Sequence, residues 1–249
     1  MTKKTAILLL FTAFTVRYAY AQMGFPNIAL AGGPTAGIYF NNTDELNTQL
    51  KLAGFSEFPK QFLTLGGGGF IDFEVSSRKS SDFFRIGAFG NGFSSHKENN
   101  IGDTLTKAAT FDMGMGGFSV EYVKCITSVF DITAGLQIAT GSLKLDMYQY
   151  RKDFGNYPLI WGEFGGSNGS QNITRNFKVH FYSFEPQLGL GLLVKKAFYL
   201  RLQAGYNIAA LGKWKADNDV EVSNFPTGIK GNGFSVKLGL NFGIFFREN

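Results

Sequence analysis

The strongest constraint on the fold is a run near the C-terminus, residues 234–246, in which every second residue is large and apolar. The residues between them are mostly small or polar. A period of two predicts a β-strand with one apolar face. Since about 9–11 tilted residues are enough for a strand to cross a bilayer, the run predicts a transmembrane strand.

Residues 1–21 have the three parts of a secretory signal peptide. Lys3 and Lys4 precede an apolar run, and the small-x-small site Ala19-Tyr20-Ala21 stands directly before residue 22. An uncleaved membrane anchor is the weaker alternative, because a spanning helix needs about 20 apolar residues. The sequence therefore predicts a signal peptide over 1–21, export to the bacterial outer membrane, and a single β-barrel domain over 22–249.

The positive charge of the chain comes mostly from this first segment. The formal net charge is +5, and residues 1–21 supply three basic residues and no acidic one, which leaves +2 for the remainder. A charge this small gives no reason to expect nucleic acid as a partner. Cys125 is the single cysteine, so no internal disulfide can form.

The same alternation marks further strands along the chain, and their connections alternate in length. Short turns near 77–81, 125–126 and 195–196 alternate with long loops, which is the wiring of outer-membrane barrels with periplasmic turns and external loops. The fold class predicted is all-β: a closed eight-stranded antiparallel transmembrane β-barrel. The predicted strands are 28–40, 61–76, 82–96, 104–124, 127–150, 175–195, 197–214 and 230–247.

Alternation alone does not decide which face meets lipid. A soluble lipocalin-like barrel or a sandwich also has one apolar face, turned inward. The less apolar faces here carry mainly Gly, Ser, Thr, Gln and Asn, whereas a water-facing surface usually carries more Lys and Glu. The composition of these faces therefore favours the membrane barrel over the soluble alternative.

The architecture resembles that of the small outer-membrane barrels of the OmpA and OmpX type. The motif Leu240-x-Phe242-x-Ile244-x-Phe246 is similar to the aromatic-ended sorting signal of such proteins, although Arg247, Glu248 and Asn249 follow it here. The resemblance implies outer-membrane lipid as the surroundings of the barrel. It also implies recognition of the last strand by the barrel-assembly machinery.

The three short turns allow the register of their hairpins to be predicted, because paired strands must agree on which face is apolar. The expected cross-strand pairs are Leu188–Ala204, Leu190–Leu202, Leu192–Leu200 and Val194–Phe198 in one hairpin, Asp72–Arg85 and Phe73–Phe84 in a second, and Val120–Ile132, Tyr122–Phe130 and Glu121–Asp131 in the third.

Two local features modify this plan near the start of the barrel. Pro34 interrupts the first strand, and because proline cannot donate to a ladder, we expect a bulge or an irregular strand there. The first long loop starts like a helix at residues 42–45, and Leu46, Leu50 and Ala53 follow on one helical face. A short amphipathic helix is therefore expected over the barrel mouth or on the membrane surface.

The alternation also places charged side chains inside the barrel. An eight-stranded barrel is just wide enough to be filled by its own side chains, so these charges must pair or be hydrated. We expect an interior polar network with a structural role; a narrow channel for small or hydrophobic solutes is the alternative. The interior residues predicted are Asp72, Glu74, Arg85, Glu121, Asp131, Glu185, Arg201 and Lys237.

The chain offers few residues for acid–base or metal chemistry, since it contains only two histidines, His96 and His180. His180, Ser183 and Glu185 form a set similar to that of outer-membrane lipid A deacylases. On a regular strand, however, His180 points away from the face shared by Ser183 and Glu185. An outer-membrane lipid-modifying enzyme is therefore the less favoured hypothesis, and no catalytic residue is predicted.

Two other motifs also favour a structural interpretation. The glycines at 66–69 lack the Lys-Ser/Thr and the helix of a phosphate-binding loop, and a strand continues after them. The carboxylates within 217–221 lack the glycine and distal glutamate of a calcium loop. We therefore predict no cofactor and no metal. The expected protein is a monomer that contacts a surface ligand through its external loops.

Overall fold

The computed structural model describes residues 28–75, 82–151, 172–195, 197–226 and 228–245. The predicted signal peptide and the residues after Phe245 lie outside this part of the chain. The eight predicted strands are confirmed, with bounds that differ by at most five residues. In chain order the elements are β1 (Ile28–Asn41), α1 (Asp44–Leu52), β2 (Gln61–Glu74), β3 (Phe83–Ile101), β4 (Leu105–Cys125), β5 (Phe130–Arg151), β6 (Ile173–Val194), β7 (Phe198–Leu211), β8 (Lys215–Ala216), β9 (Val220–Glu221) and β10 (Gly233–Ile244).

Within the described residues, the long strands β1 to β7 and β10 close into an antiparallel ring. The pairing of β1 with β10 joins the ends, and the pairing of β5 with β6 completes the circle. When paired residues are followed from strand to strand around the ring, a path that starts at Lys124 on β4 returns to β4 at Gly114. These two positions are ten residues apart, and this offset is the stagger of the barrel. For eight strands, this stagger corresponds to a tilt of about 40° and an interior that side chains can fill.

Every strand of the ring has a row of large apolar side chains that points outward. On β6 they extend from Tyr182 to Val194, and twelve residues rise about 30 Å at this tilt, which is close to the hydrocarbon thickness of a bilayer. The soluble alternative, with the apolar face inward, is therefore wrong. We call this outer surface the apolar belt. It includes Leu30, Leu65, Ile86, Phe118, Ile138, Leu188, Leu202 and Leu238.

None of the helices in the described residues is both long and apolar enough to cross a bilayer.

Two of the three predicted registers are confirmed. In the β6–β7 hairpin, Leu188 lies opposite Ala204 and Val194 opposite Phe198. In the β2–β3 hairpin the residues opposite one another include Asp72 and Arg85, and Phe73 and Phe84.

The register predicted for the β4–β5 hairpin is wrong by four residues. The turn spans 126–129 rather than two residues, and Thr127 Oγ1 accepts a hydrogen bond from Phe130 N at 3.0 Å. The longer turn keeps the Glu121 and Asp131 carboxylates from lying directly opposite, where like charges destabilise a sheet. The pairs that replace the predicted ones are Val120–Leu136, Tyr122–Ala134 and Glu121–Gly135.

The seam between β1 and β10 is interrupted where Pro34 stands. Pairing stops at Gly33 and Pro34 and resumes at Thr35 with no change of register, so the strand is irregular but no bulge forms. Proline has no N–H to donate. The β10 backbone also comes close here, because a Cβ on Gly33 would overlap the carbonyl oxygen of Leu240.

The first external loop contains α1, as the sequence predicts. Asn42 Oδ1 accepts a hydrogen bond from Asp44 N at 3.0 Å as the helix begins. Leu46 and Leu50 are buried among the side chains that fill the external end of the barrel, so the helix lies over the mouth. The place predicted for Ala53 is wrong: the helix ends just before it, and Ala53 is exposed.

The external side contains more strand than the sequence indicates. β3 continues through most of the predicted loop 97–103 and turns at Gly102, whose φ of 62° suits glycine. The two-residue strands β8 and β9 lie in the predicted loop 215–229, and β8 adds to the edge of β6. The sheet therefore extends beyond the ring on its external side.

Candidate functional site

The structure brings most of the predicted interior charges together inside the barrel. Glu74 lies on the inward face of β2 but is half-buried at its periplasmic end. The other seven are almost fully buried, and three cations among them face four carboxylates. We call these seven residues the lumen network: Asp72, Arg85, Glu121, Asp131, Glu185, Arg201 and Lys237.

Arg85 is a fully buried member of the lumen network. Because it lies directly opposite Asp72, its Nε and Nη2 donate to both carboxylate oxygens at 2.6 and 2.8 Å. Its Nη1 donates to Tyr199 Oη at 3.1 Å, and that hydroxyl donates to Asp131 Oδ1 at 2.8 Å. The guanidinium carbon also lies 3.8 Å from the ring centre of Phe70. The charge is thus compensated by a bidentate ion pair and an aromatic face.

Glu121 is the centre of the next group. It forms an ion pair with Arg201 Nη2 and accepts a hydrogen bond from Gln187 Nε2 at 2.9 Å. Gln203 Nε2 in turn donates to Gln187 Oε1 at 2.8 Å. Arg201 Nε has no hydrogen-bond partner among the described residues. The strands β4, β6 and β7 are therefore linked through side chains as well as through the sheet.

Lys237 and Glu185 form the third group, nearest the external side. Lys237 Nζ donates to Glu185 Oε1 at 2.9 Å and to Gln137 Oε1 at 3.1 Å. Ser235 Oγ donates to the same Glu185 oxygen at 2.7 Å. Lys237 on β10 therefore links two strands further around the ring, β5 through Gln137 and β6 through Glu185.

Apolar side chains close the lumen above this network. Phe62 and Phe93 stack with ring centres 4.2 Å apart, and Tyr39 Oη donates to the carbonyl oxygen of Gly231 at 2.5 Å. These side chains pack beneath α1. We call them the mouth cluster, which includes Tyr39, Leu46, Leu50, Phe58, Phe62, Phe93, Phe111, Met113, Leu143, Phe181 and Trp214.

A smaller apolar group closes the opposite end. The rings of Tyr199 and Phe245 lie 5.4 Å apart, and Phe70 packs against both. Ala29, Ala31 and Leu193 complete the group. The lumen is therefore layered, with the polar network between two apolar ends.

The external hairpin formed by β8 and β9 has its own ion pairs. Lys213 Nζ donates to Glu221 Oε2 at 2.8 Å, and this hydrogen bond holds the pKa of the Glu221 carboxyl below its usual value. Asp217 accepts hydrogen bonds from Asn176 N at 3.0 Å and from Arg175 Nη1 at 2.9 Å. These carboxylates act as anchors for the loop. No group of three or more potential metal ligands occurs in the described residues.

The set similar to that of the deacylases is not assembled. His180 is exposed on the outer face of β6, whereas Ser183 and Glu185 are buried on the inner face. His96 is also exposed, with Nδ1 2.8 Å from Thr110 Oγ1. The glycines at 66–69 lie within β2, as predicted.

Tyr199 and the mouth cluster as a whole were not predicted from the sequence, although Leu46 and Leu50 were expected on a helix over the barrel mouth or on the membrane surface. Tyr199 is in phase with Arg201 and Gln203 along β7, so alternation could have placed it inside. The mouth cluster joins β-strand residues to α1 and to loop residues far away in the chain. No local pattern could have predicted that packing.

Comparison with known proteins finds similarity among solved structures only. No family model matches the chain, and no curated protein matches it. The structure is similar to Ail, the attachment invasion locus protein of Yersinia pestis, with 11% identity over 88% of this chain and 99% of that one, and a TM-score of 0.34. The outer membrane protease OmpT from Escherichia coli has 8% identity over 89% and 97% of the two chains, and a TM-score of 0.36.

Replacing Tyr199 by phenylalanine should lower the stability of the barrel by about 1–3 kcal/mol, because Arg85 Nη1 and Asp131 Oδ1 each lose a buried partner. The free energy of unfolding can be measured by urea titration of the barrel folded in detergent micelles. Tyr182→Phe is the matched control, since its ring is 75% exposed on the outer face. Equal urea midpoints for the two variants would contradict the role given to the Tyr199 hydroxyl.

Proposed function

We propose that the chain is an integral bacterial outer-membrane β-barrel that is closed to solutes and serves the envelope through its structure and its external loops. The observation that carries the proposal is the combination of the outward apolar belt with the filled lumen. The belt requires lipid around the barrel, because such a surface would otherwise be exposed to water. The signal peptide predicted over 1–21 supports export to the outer membrane.

The filling of the lumen supports a role other than transport. The lumen network links facing strands by ion pairs, and the mouth cluster closes the external end above it. Eight strands provide no space for a water-filled pore once these side chains are present. The function is therefore assigned to the surfaces of the barrel rather than to its interior.

The absence of catalysis is also part of the proposal. Both histidines are on the outside of the sheet, away from the lumen network. The buried carboxylates of the network are already used in hydrogen bonds and ion pairs with neighbouring strands. Such pairing suits a structural network better than acid–base chemistry.

A narrow channel is the second candidate, and the continuous series of polar groups inside the barrel favours it. An ion crossing the barrel would have to displace the Arg85–Asp72 pair and the aromatic residues at both ends. Planar-bilayer recordings of the purified protein should show no steps above a protein-free control. Reproducible single-channel steps would instead support the channel.

The membrane placement can be tested by cell fractionation and by electrophoresis of unheated and heated samples. We expect the mature protein in the outer-membrane fraction, with a band that changes mobility on heating, because a closed barrel resists detergent until it is boiled. Recovery in the soluble periplasmic fraction would overturn the proposal. Mass spectrometry of the same material should give residue 22 as the mature N-terminus.

We also propose the partners. The barrel-assembly machinery would recognise β10, and a surface ligand would bind the external loops around α1 and the β8–β9 hairpin. The barrel would act as a monomer, because each long strand of its ring already pairs with two long neighbours.

A further inference from the structure

The wall of the barrel has a gap between β2 and β3 on its external side. Their ladder ends at the pair Leu65–Gly92, although β2 begins at Gln61 and β3 continues to Ile101. A groove of about 720 Å³ lies along the gap and is lined by both strands. Over this stretch β2 and β3 therefore face each other without being paired.

The backbone of β3 shows which of its groups point into the gap. A Cβ on Gly66 of β2 would overlap the carbonyl oxygen of Gly90, so the carbonyl of this even-numbered residue points toward β2. In an antiparallel ladder, the N–H and C=O of one residue point to the same side, and the side alternates along the strand. Glu98 keeps this phase, because its carbonyl oxygen accepts a hydrogen bond at 3.0 Å from Ser56 Oγ of the first external loop.

Ser94 and His96 lie between Gly90 and Glu98 in the same phase, so their N–H and C=O groups point into the gap. Leu63 directs its own backbone groups into the gap from β2, because it is in phase with Leu65. Within the described residues, the backbone groups of Leu63, Ser94 and His96 have no partner across the gap. An unpaired strand edge is a template for another strand.

Lipid chains do not complete these edges. Leu63 and Leu65 are 68% and 62% exposed in the apolar belt, so acyl chains reach one end of the groove. Acyl chains form no hydrogen bonds, and unpaired backbone groups are costly at membrane depth. The gap therefore favours an occupant that supplies donors and acceptors at the spacing of a strand.

The lining of the groove favours a strand with little net charge. Phe62, Phe93 and Met113 of the mouth cluster form the floor. On the rim, Asp112 lies opposite Lys144, so their charges compensate each other. The side chains of an inserted strand would point alternately to the apolar floor and away from it. A peptide with an apolar residue at every second position would therefore fit.

We propose that the gap between β2 and β3 binds an extended peptide segment of another protein, which pairs with both strand edges. Because β2 and β3 run in opposite directions, the inserted strand is parallel to one of them and antiparallel to the other. Its main chain provides the affinity, and its alternate apolar side chains, turned toward the mouth cluster, provide the specificity. This inference rests on the outer-membrane placement proposed above.

The free edge of β3 can be tested by amide hydrogen exchange of the folded barrel in detergent micelles, followed by NMR. Ser94 and His96 should exchange about tenfold or more faster than Phe93 and Ser95. The amides of Phe93 and Ser95 are the matched controls, because they belong to the same strand but point to β4 and lie within its ladder.

The probe is an acetylated and amidated peptide of about seven residues that alternates valine and threonine. We expect saturable binding, with exchange at Ser94, His96 and Leu63 slowed about tenfold or more. Two further versions of the peptide carry N-methyl groups on one or the other alternate set of residues, so each version lacks the donors for one edge. Both versions should bind about tenfold more weakly or worse.

A variant of the barrel tests the same edge from the other side. Ser94→Pro removes an N–H that points into the gap and that the β4 ladder does not use, and it should weaken binding of the probe about tenfold or more. Ser94→Ala keeps this N–H and should stay within about twofold of the wild type. Heat-modifiable mobility shows which variants are folded, and the methylated peptides test the site if the proline variant is not.

The inference is overturned by equal exchange of the four β3 amides before the probe is added, by a probe that does not bind, or by unchanged binding of either methylated peptide. Protection that increases with barrel concentration alone would assign the gap to a second copy, and protection by phospholipid alone would assign it to lipid. A barrel that is found in the outer membrane but fails these tests loses only the peptide site. A chain found in the soluble fraction would overturn the proposed function itself.

Discussion

Replacing Arg85 by methionine is expected to lower the free energy of unfolding by about 3–5 kcal/mol. The substitution leaves the Asp72 carboxylate buried without its bidentate partner, since both of its oxygens accept from Arg85 in the wild type. It also removes the donor to Tyr199 Oη. Urea titration of the barrel in detergent micelles, followed by tryptophan fluorescence and by heat-modifiable mobility, measures the loss.

Two further variants show whether the unpaired charge causes this loss. Asp72→Leu/Arg85→Met removes both charges and should recover about 2 kcal/mol or more, because a buried ion pair is often no better than apolar side chains. Lys60→Met breaks an exposed pair with Asp44 and should cost about 1 kcal/mol at most. If Arg85→Met and Lys60→Met have equal effects, the lumen network does not stabilise the barrel.

Replacing Gly117 by alanine should cost about 4 kcal/mol or more, or prevent folding altogether. A Cβ at this position would overlap the carbonyl oxygen of Ile138 and lie 2.6 Å from Ala139 Cα, both of which are backbone atoms of β5. The β4–β5 ladder would have to separate locally to relieve the overlap. The yield of heat-modifiable barrel after refolding, together with the urea midpoint, measures the effect.

Gly114→Ala provides the comparison on the same strand. Its Cβ has open space around it, so the substitution should be neutral or stabilising by up to about 1 kcal/mol, because alanine restricts the unfolded chain. The two variants make the same chemical change three residues apart, and only Gly117→Ala should be destabilising. Equal stability of the two variants would show that the close approach of β4 and β5 does not limit the barrel.

The strands and their faces could be predicted from the sequence because side chains alternate strictly along a strand. This rule located the outward Leu188 and the inward Arg201 without any knowledge of their neighbours. The register of a hairpin depends in addition on the length of its turn. The register predicted for the β4–β5 hairpin was wrong because hydrogen bonds at Thr127 favour a four-residue turn. The alternation of side chains does not predict the length of a turn.

The interior of the barrel was less predictable than its wall. Charged residues could be placed inside by phase alone, but their partners depend on which strands face each other across the lumen. Lys237 bonds Glu185 because the ring brings β10 and β6 together, and these residues are 52 positions apart. The packing of the mouth cluster depends on α1 and on loop residues. Loops lack the regular alternation of side chains that makes a strand predictable.

The extended strands on the external side determine how far the protein reaches from the membrane. The last belt residue on β5 is Ile138, and the strand continues to Arg151. Thirteen residues at the tilt of this barrel rise about 30 Å. Because β4 and β6 pair with this part of β5, and β3 pairs with β4, the projection is a stiff, hydrogen-bonded platform. A large soluble molecule could therefore be contacted at its tip without approaching the lipid head groups.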